Sequence, residues 1–409
     1  MNDLPLFLPC AAGVEDLLLA EVQRITGGSG ERRRGGVSLR AAWRDVLALN
    51  LHSRLTQRVL VQLSDSPYRS EDDLYEAARS VPWDMWFTPR QSFKVETTAQ
   101  HSPLKSLNFA TLRIKDAVAD RFRDKTGIRP DVDTQQPQVR LFAHLTAERL
   151  VLYIDTSGEP LFKRGWREDT GEAPLKETLA AAMLAASGWD AQTPLYDPCC
   201  GSGTIAIEAA QIACGMAAGG QRRFGFERLV PFQPALWSQL KAQAREQEHP
   251  PTAPIFGSDV AHRMVDFAQR NADRAGVAQA VQFRGGDALQ RMPPGDAPGL
   301  MLLNPPYGER IAVAGVAGSG AAPARPRMGG REQAHMEGDG EFFERLASHW
   351  KKNYAGWTAW LLTPDLKLPG RMRLKESRRV PMWNGPIECR LFRFDLVAGR
   401  HEASGKQPS

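Results

Sequence analysis

The tetrapeptide Asn304-Pro305-Pro306-Tyr307 closes an apolar run, Gly299-Leu300-Met301-Leu302-Leu303, that reads as a short buried strand. Two consecutive prolines stiffen the turn and remove N–H donors, which leaves its carbonyl groups to accept. The amide oxygen of Asn304 and the carbonyl of Pro305 suit the two protons of an exocyclic amine, and Tyr307 suits stacking on the ring that bears it. An amine held in this way keeps its nitrogen lone pair free to attack an electrophilic carbon in line. Such chemistry rests on positioning, and the chain offers no credible His or Cys dyad of the kind that activates a nucleophile. A proline-rich strand end taken alone is as often only a turn.

A second cluster lies upstream. Leu195-Tyr196 ends a short apolar strand, Asp197-Pro198-Cys199-Cys200-Gly201-Ser202-Gly203-Thr204 forms a glycine turn, and Ile205-Ala206-Ile207-Glu208-Ala209-Ala210 starts a helix. Gly201 and Gly203 allow close approach of a ligand at the carboxyl end of a strand, and the free N–H groups of the following helix suit a carboxylate. An isolated G-x-G often serves only to pack helix on strand. A dinucleotide site would want a third glycine and an acid about 20 residues on. Here the next strand-end acid is Asp259, well beyond that spacing, and no lysine follows the glycines as in a phosphate-binding loop.

Asp259 suits ribose hydroxyls, and Asp287, after the next strand, suits an adenine amine. Together with Asp197 they put an acid after three successive strands, on one edge of a sheet. Acids repel phosphate, so a nucleoside carrying a free amino-acid moiety fits this set best. S-adenosylmethionine is the expected cofactor, with Asp197, Cys199, Cys200, Gly201, Gly203, Thr204, Asp259 and Asp287 around it.

The elements that must position these residues follow from the rhythm of the chain. From about residue 161 to Val397 strands alternate with helices, as in a doubly wound α/β sheet. Within this region residues 315–340 are rich in Gly, Ala, Pro and Arg and read as a mobile insertion, and 399–409 as a disordered tail. Residues 1–65 read as a small α+β unit, with helices over Gly13–Val22 and Ala41–Leu51, strands near Val37–Leu39 and Arg58–Leu63, and a Gly- and Arg-rich turn from Gly27 to Gly36. Residues 66–160 run helix, strand, long helix (Leu104–Lys125), then two strands. The long helix carries Lys105, Arg113, Lys115, Arg121, Arg123 and Lys125, which suit RNA phosphates, although charges of this kind taken alone more often mark a solvated face.

Composition sets outer bounds. The 409 residues are 42% hydrophobic and 24% charged, enough for two or three cored domains, which excludes a disulfide-stapled miniprotein or a disordered chain. A net charge of +5 suits a polyanionic partner without demanding one. The five cysteines form no C-x-x-C pair, so a reduced compartment without a metal centre is expected. With neither a basic leader nor an apolar run of membrane-spanning length, a cytoplasmic protein without membrane attachment is expected.

The glycine turn, the N-P-P-Y-G-E-R loop, the segment from Gly171 to Thr178, Arg223-Phe224-Gly225-Phe226 and Asn384-Gly385-Pro386-Ile387-Glu388-Cys389 together resemble the THUMP-containing guanine-N2 RNA methyltransferases, above all those acting on bacterial 23S rRNA. The likeness extends from Pro9-Cys10-Ala11-Ala12-Gly13-Val14-Glu15 to the last strand. It implies a ferredoxin-like domain over 1–65, an RNA-gripping THUMP domain over 66–160 and a seven-stranded Rossmann-like class I methyltransferase domain over 161–398. It further implies that Ala173 to Thr178, including Pro174 and Thr178, help cover the cofactor. Asn304, Pro305, Pro306 and Tyr307 would hold the amine of a flipped guanine. Lys105, Arg113, Lys115, Arg121, Lys163, Arg164 and Arg167 become RNA-contact candidates. Cys199 and the long insertion depart from the family pattern, and without a second methyltransferase domain a single modification by a monomer is expected. The alternatives are a tRNA guanine-N2 methyltransferase, a DNA adenine-N6 methyltransferase and a non-catalytic RNA-binding assembly factor.

Overall fold

Apolar residues alternate along most strands of the amino-terminal half, and their buried faces make one sheet rather than two. In this computed structural model, which describes residues 3–171, 174–305 and 339–397, the chain divides into two units. The first comprises residues 1–165 with 216–248, the second residues 166–215 with 249–409.

The first unit holds strands β1 (Leu4–Pro9), β2 (Gly30–Arg33), β3 (Gly36–Ala41), β4 (Leu60–Pro67), β5 (Phe93–Ala99), β6 (Val139–Leu145) and β7 (Arg149–Asp155). Their spatial order is β2-β3-β1-β4-β7-β6-β5, with only β5 and β6 parallel. β4 pairs with β1 on one side and β7 on the other, so the two small units foreseen from sequence share a continuous sheet. Helices α1 (Glu15–Thr26), α2 (Trp43–His52), α3 (Glu71–Ser80) and α4 (Leu107–Thr126) complete this region. The Gly- and Arg-rich turn expected over Gly27–Gly36 contains an edge strand, since β2 pairs antiparallel with β3. Its polar Gly30-Glu31-Arg32-Arg33 is mostly exposed and has no apolar face to betray it.

The long helix begins three residues later than expected. Ser106 is its N-cap and accepts the N–H of Phe109 at 3.1 Å, which leaves Lys105 before the helix. A further helix, α7 (Pro234–Glu246), also belongs to this unit although the chain reaches it from the other one. Arg222 anchors that excursion by donating to the carbonyls of Glu159, Pro160 and Lys163 at 2.6, 2.7 and 2.8 Å. Phe224 and Phe226 stack at 5.1 Å and both meet the edge of Trp237.

The second unit contains α5 (Glu177–Ser187), β8 (Leu195–Asp197), α6 (Thr204–Ala213), β9 (Ile255–Asp259), α8 (His262–Arg274), β10 (Val281–Gly285), β11 (Leu300–Leu303), α9 (Asp339–Asn353), β12 (Thr358–Thr363), α10 (Leu368–Met372), β13 (Arg378–Asn384) and β14 (Ile387–Asp395). The sheet order is β10-β9-β8-β11-β12-β14-β13, parallel from β10 to β12 with an antiparallel β14–β13 pair at one edge. β11 has all four side chains buried, as the central strand of a sheet covered on both faces must. Met301, Leu303, Leu361, Phe392 and Phe394 join Phe343, Trp350 and Trp357 in one apolar cluster. Each such side chain contributes roughly 1.5–3 kcal/mol by leaving water, which fixes where the strand ends stand.

Candidate active site

Three parallel strands deliver acids to one edge of the second unit. Asp197 ends β8, Asp259 ends β9, and Asp287 follows β10; all three line a cavity of about 710 Å³. The glycine turn forms its floor through Cys199, Cys200, Gly201, Ser202 and Thr204. Asn304 and Pro305, at the end of β11, and Pro174 reach it as well. Nearly all the expected cofactor residues therefore meet in one place. Pro306, Tyr307, Ala173, residues 315–338 of the expected insertion and the tail 399–409 lie outside the described residues.

The carboxylates have distinct surroundings. Asp197 is 1% exposed, and its carboxylate accepts the Cys199 N–H at 3.1 Å. Burial, reinforced by the negative charge of Asp259 and only partly opposed by that hydrogen bond, pushes its carboxyl up to about 8. Asp259 accepts the N–H groups of Gly201 at 3.0 Å and Ala261 at 2.9 Å, and burial raises it too. Asp287 accepts the Leu289 N–H at 2.9 Å. Two partly desolvated acids, neither with an ion-pair partner among the described residues, make a site that favours positive charge.

The two glycines do different work. Gly201 has φ +53°, and a Cβ built there meets nothing within 4 Å, so it leaves open space beside the cavity. Gly203 has φ +90°, but its missing side chain would strike Ala268 and Phe283 at 3.0 Å and Ile207 at 3.1 Å. Gly203 thus lets α6 pack against α8 and β10, and it does not line the cavity. Thr178 is likewise buried in the first turn of α5, away from the lining.

Two of the expected RNA-contact arginines are structural. Arg167 is 14% exposed and gives its guanidinium to Glu177 at 2.7 Å, Thr204 Oγ1 at 2.7 Å, Ser202 Oγ at 3.1 Å and the Leu175 carbonyl at 3.2 Å. It ties the glycine turn to the start of α5. Arg164 is 2% exposed and donates to the carbonyls of Leu161 and Arg54. An arginine's five donors can satisfy buried carbonyls as readily as phosphates, and the sequence does not distinguish these uses. Lys163 is exposed and paired with Glu159.

On α4 most of the expected cations face acids, whereas the buried Nε of Arg121 has no partner among the described residues. Arg113 pairs with Asp72, Lys115 with Asp116, Arg123 with Asp120 and Lys125 with Asp84. Asp72 comes from α3, Asp116 and Asp120 from α4 itself and Asp84 from the turn after α3, so the basic face is largely neutralised.

Asn304 lines the cavity with an unpaired acceptor. Its Oδ1 is buried and has no hydrogen-bond donor among the described residues. An acceptor left so costs about 1–3 kcal/mol, which a donor on a ligand in the cavity would offset. Sequence reading missed the apolar wall that α8 supplies, Met264 and Phe267, and the Val260 that precedes the helix. The i, i+3 spacing of Met264 and Phe267 was the one signal that could have found it. It also missed Asn271 on α8, whose Nδ2 holds the Ser202 carbonyl at 3.0 Å and the Asp169 carbonyl at 2.9 Å. Among the described residues no His, Cys, Asp and Glu side chains group in a way that could hold a metal, and no helix is long and apolar enough to cross a membrane.

Comparison with known proteins agrees with this architecture. Residues 5–60 match the RlmL ferredoxin-like domain, 68–155 the THUMP domain, and 164–317 the RMKL-like methyltransferase domain. The ribosomal RNA large subunit methyltransferase K/L of Shewanella amazonensis is 35% identical over 398 residues, covering 96% of this chain and 53% of the relative. The chain spans about half the length of the curated relatives it matches. Among solved structures, SMU.472 in complex with SAH superposes with a TM-score of 0.83 at 24% identity, over 98% of this chain and 99% of that one. A protein described as a predicted N6-adenine-specific DNA methylase, from Listeria monocytogenes, gives 0.81 at 25% identity over 96% of both chains. The chain thus has a ferredoxin-like, a THUMP and a class I methyltransferase domain in that order.

Proposed function

We propose that this protein transfers a methyl group from S-adenosylmethionine to the exocyclic N2 amine of a guanine in 23S ribosomal RNA. The observation that carries the reading is the unpartnered Oδ1 of Asn304, held beside the acid-lined cavity. The cavity fits the cofactor on its own terms. Asp197 suits an ammonium, Asp259 ribose hydroxyls and Asp287 an adenine amine, and the space beside Gly201 suits close approach of a ligand. When bound, that cofactor supplies a sulfonium methyl that an amine nitrogen can take in a single displacement.

The chain's own residues then have to orient the amine. Asn304 Oδ1 and the Pro305 carbonyl accept its two protons, which holds the lone pair along the line of attack. The new N–C bond forms as the C–S bond breaks, and the amine's surplus proton passes to solvent. A base must leave its stack to reach this depth, so the target is flipped or single-stranded. The pinned glycine turn, held by Arg167 and Asn271, keeps the cofactor side of this geometry rigid.

Ribosomal RNA is favoured by the activity for which the 35% identical relatives are named and by the THUMP domain. Guanine N2 is favoured by the N-P-P-Y-G-E-R loop together with the family likeness. The deciding experiment incubates the protein with methyl-labelled cofactor and either naked 23S rRNA, total tRNA or duplex DNA, and then maps the labelled nucleotide. N2-methylguanine in 23S rRNA is the expected product. Label confined to tRNA, or to adenine in DNA, refutes the substrate assignment while leaving amine methylation intact.

A further inference from the structure

Charge is distributed unevenly along this chain. Residues 351–380 hold eight Lys or Arg, Lys351, Lys352, Lys367, Arg371, Arg373, Lys375, Arg378 and Arg379, against two acids, Asp365 and Glu376. That thirty-residue stretch carries +6, more than the +5 of the entire protein. By contrast α3 and α4, which pack together, hold six Lys or Arg against seven Asp or Glu. The helix that sequence marked as basic therefore belongs to a slightly acidic pair.

The structure shows which of the eight cations are already used. Lys351 donates to the carbonyls of Met372 and Arg373 at 3.4 and 2.9 Å and so closes the end of α10. Arg371 pairs with Asp365 at 3.5 Å, and Arg379 with Glu376 at 2.7 Å. Lys352, Lys367, Arg373, Lys375 and Arg378 remain, all exposed and without an acid partner among the described residues. Lys352 has an ordinary use, since a cation in the last turn of α9 complements the helix dipole. Of the other four, Arg373 is the C-cap of the five-residue α10, whereas Lys367 stands at its N-cap and Lys375 and Arg378 lie beyond it, where that use is lacking.

Topology places this strip on the substrate side of the site. The cofactor acids stand on β8, β9 and after β10, on one side of β11. β12 is parallel to β11 on its other side, so its carboxyl end, from which Leu366, Lys367 and α10 emerge, lies at the same edge as Asn304. The chain then runs from α10 to the start of β13, where Arg378 pairs with Arg393 of β14 and so stands level with Trp360 in the middle of β12. The four cations thus run from the active-site edge to the middle of the β12–β14–β13 flank, on the side of β11 away from the cofactor acids.

We propose that Lys367, Arg373, Lys375 and Arg378 are a phosphate-binding track for the RNA substrate, guiding the strand that carries the target base to Asn304. This role rests on the RNA methyltransferase function proposed for the site. It assigns RNA binding to the catalytic unit itself, in addition to any by the THUMP domain.

The test is the salt dependence of binding to a mixed-sequence single-stranded RNA, using the full chain. Each cation withdrawn from a phosphate of a single strand makes the log–log salt slope shallower by about 0.7. Replacing all four residues with Ala removes about 2.8 from the slope, so between 50 and 200 mM salt the wild type drops about fiftyfold more in affinity than the variant. S-adenosylhomocysteine binding, unchanged in the variant, reports an intact fold and cofactor site. A matched set on α4, Arg113, Lys115, Arg123 and Lys125 to Ala, is expected to change the slope by less than half as much. A four-site variant whose RNA affinity and slope equal the wild type's overturns the track alone. A wild type that binds no RNA overturns both the track and the function on which it rests.

Discussion

Asp197 should bind its ligand with release of a proton, and the size of the effect follows from its burial. In the free protein the carboxyl titrates near 8, because it is buried and faces Asp259. A cationic ligand beside it supplies the missing counterion and returns it towards the ordinary carboxylate range. Between pH 5.5 and 7.5 the ionised fraction of a group titrating at 8 rises about 75-fold, so affinity should rise by about that factor, with a slope near one log unit per pH unit. The ligand's own amino group stays mostly protonated across this window, since α-amino groups titrate near 7.7–8.0. Calorimetric titration with S-adenosylhomocysteine at pH 6.5, in two buffers of different ionisation heat, should report release of close to one proton. Asp197→Asn should bind more weakly, with an affinity that varies much less with pH than the wild type's. A wild-type slope below about 0.3 refutes the reasoning, because Asp197 would then be ionised before the ligand arrives.

Further predictions concern the same site. The ligand-free protein should lose stability as pH rises from about 5 to 8: Asp197 and Asp259 titrate higher folded than unfolded, so the native state binds more protons there, and thermal denaturation of Asp197→Asn should show a flatter profile. Asn304→Ala should lower the methyl-transfer rate by roughly 10²–10³, the scale of removing one preorganised hydrogen-bonding group, with RNA and cofactor affinities near wild type; a rate within fivefold would remove Asn304 from the chemistry. Arg167→Ala strands Glu177, which is 3% exposed, and should cost about 3–5 kcal/mol in urea unfolding, part of which Glu177→Gln restores in the same background. Gly203→Ala should destabilise by about 1–3 kcal/mol through overpacking, whereas Gly201→Ala should weaken cofactor binding more than it weakens folding; equal effects on both measurements would merge the two roles.

The residues themselves carried much of the chemistry. Strand, glycine turn and helix are adjacent in the chain, so Asp197 to Thr204 could be recognised as one local unit, and strand-end acids are visible wherever an apolar run stops. Asn304-Pro305 was legible for the same reason. The family likeness added the domain order, which periodicity alone left as two α+β units and an α/β region. Long-range relations were decided only in three dimensions. That β4 bridges β1 and β7, and that residues 216–248 return to the first unit, depends on pairings between segments far apart in the chain. The roles of the charged residues changed most. Arg164 and Arg167 are bonded inside the fold, most α4 cations face acids on α3, on α4 and in the turn after α3, and four exposed cations beyond β12 have no acid partner among the described residues. A cation's type is set by the sequence, but its freedom to meet a ligand depends on which carboxylates and carbonyls the fold brings within about 3 Å, and only the tertiary structure decides that.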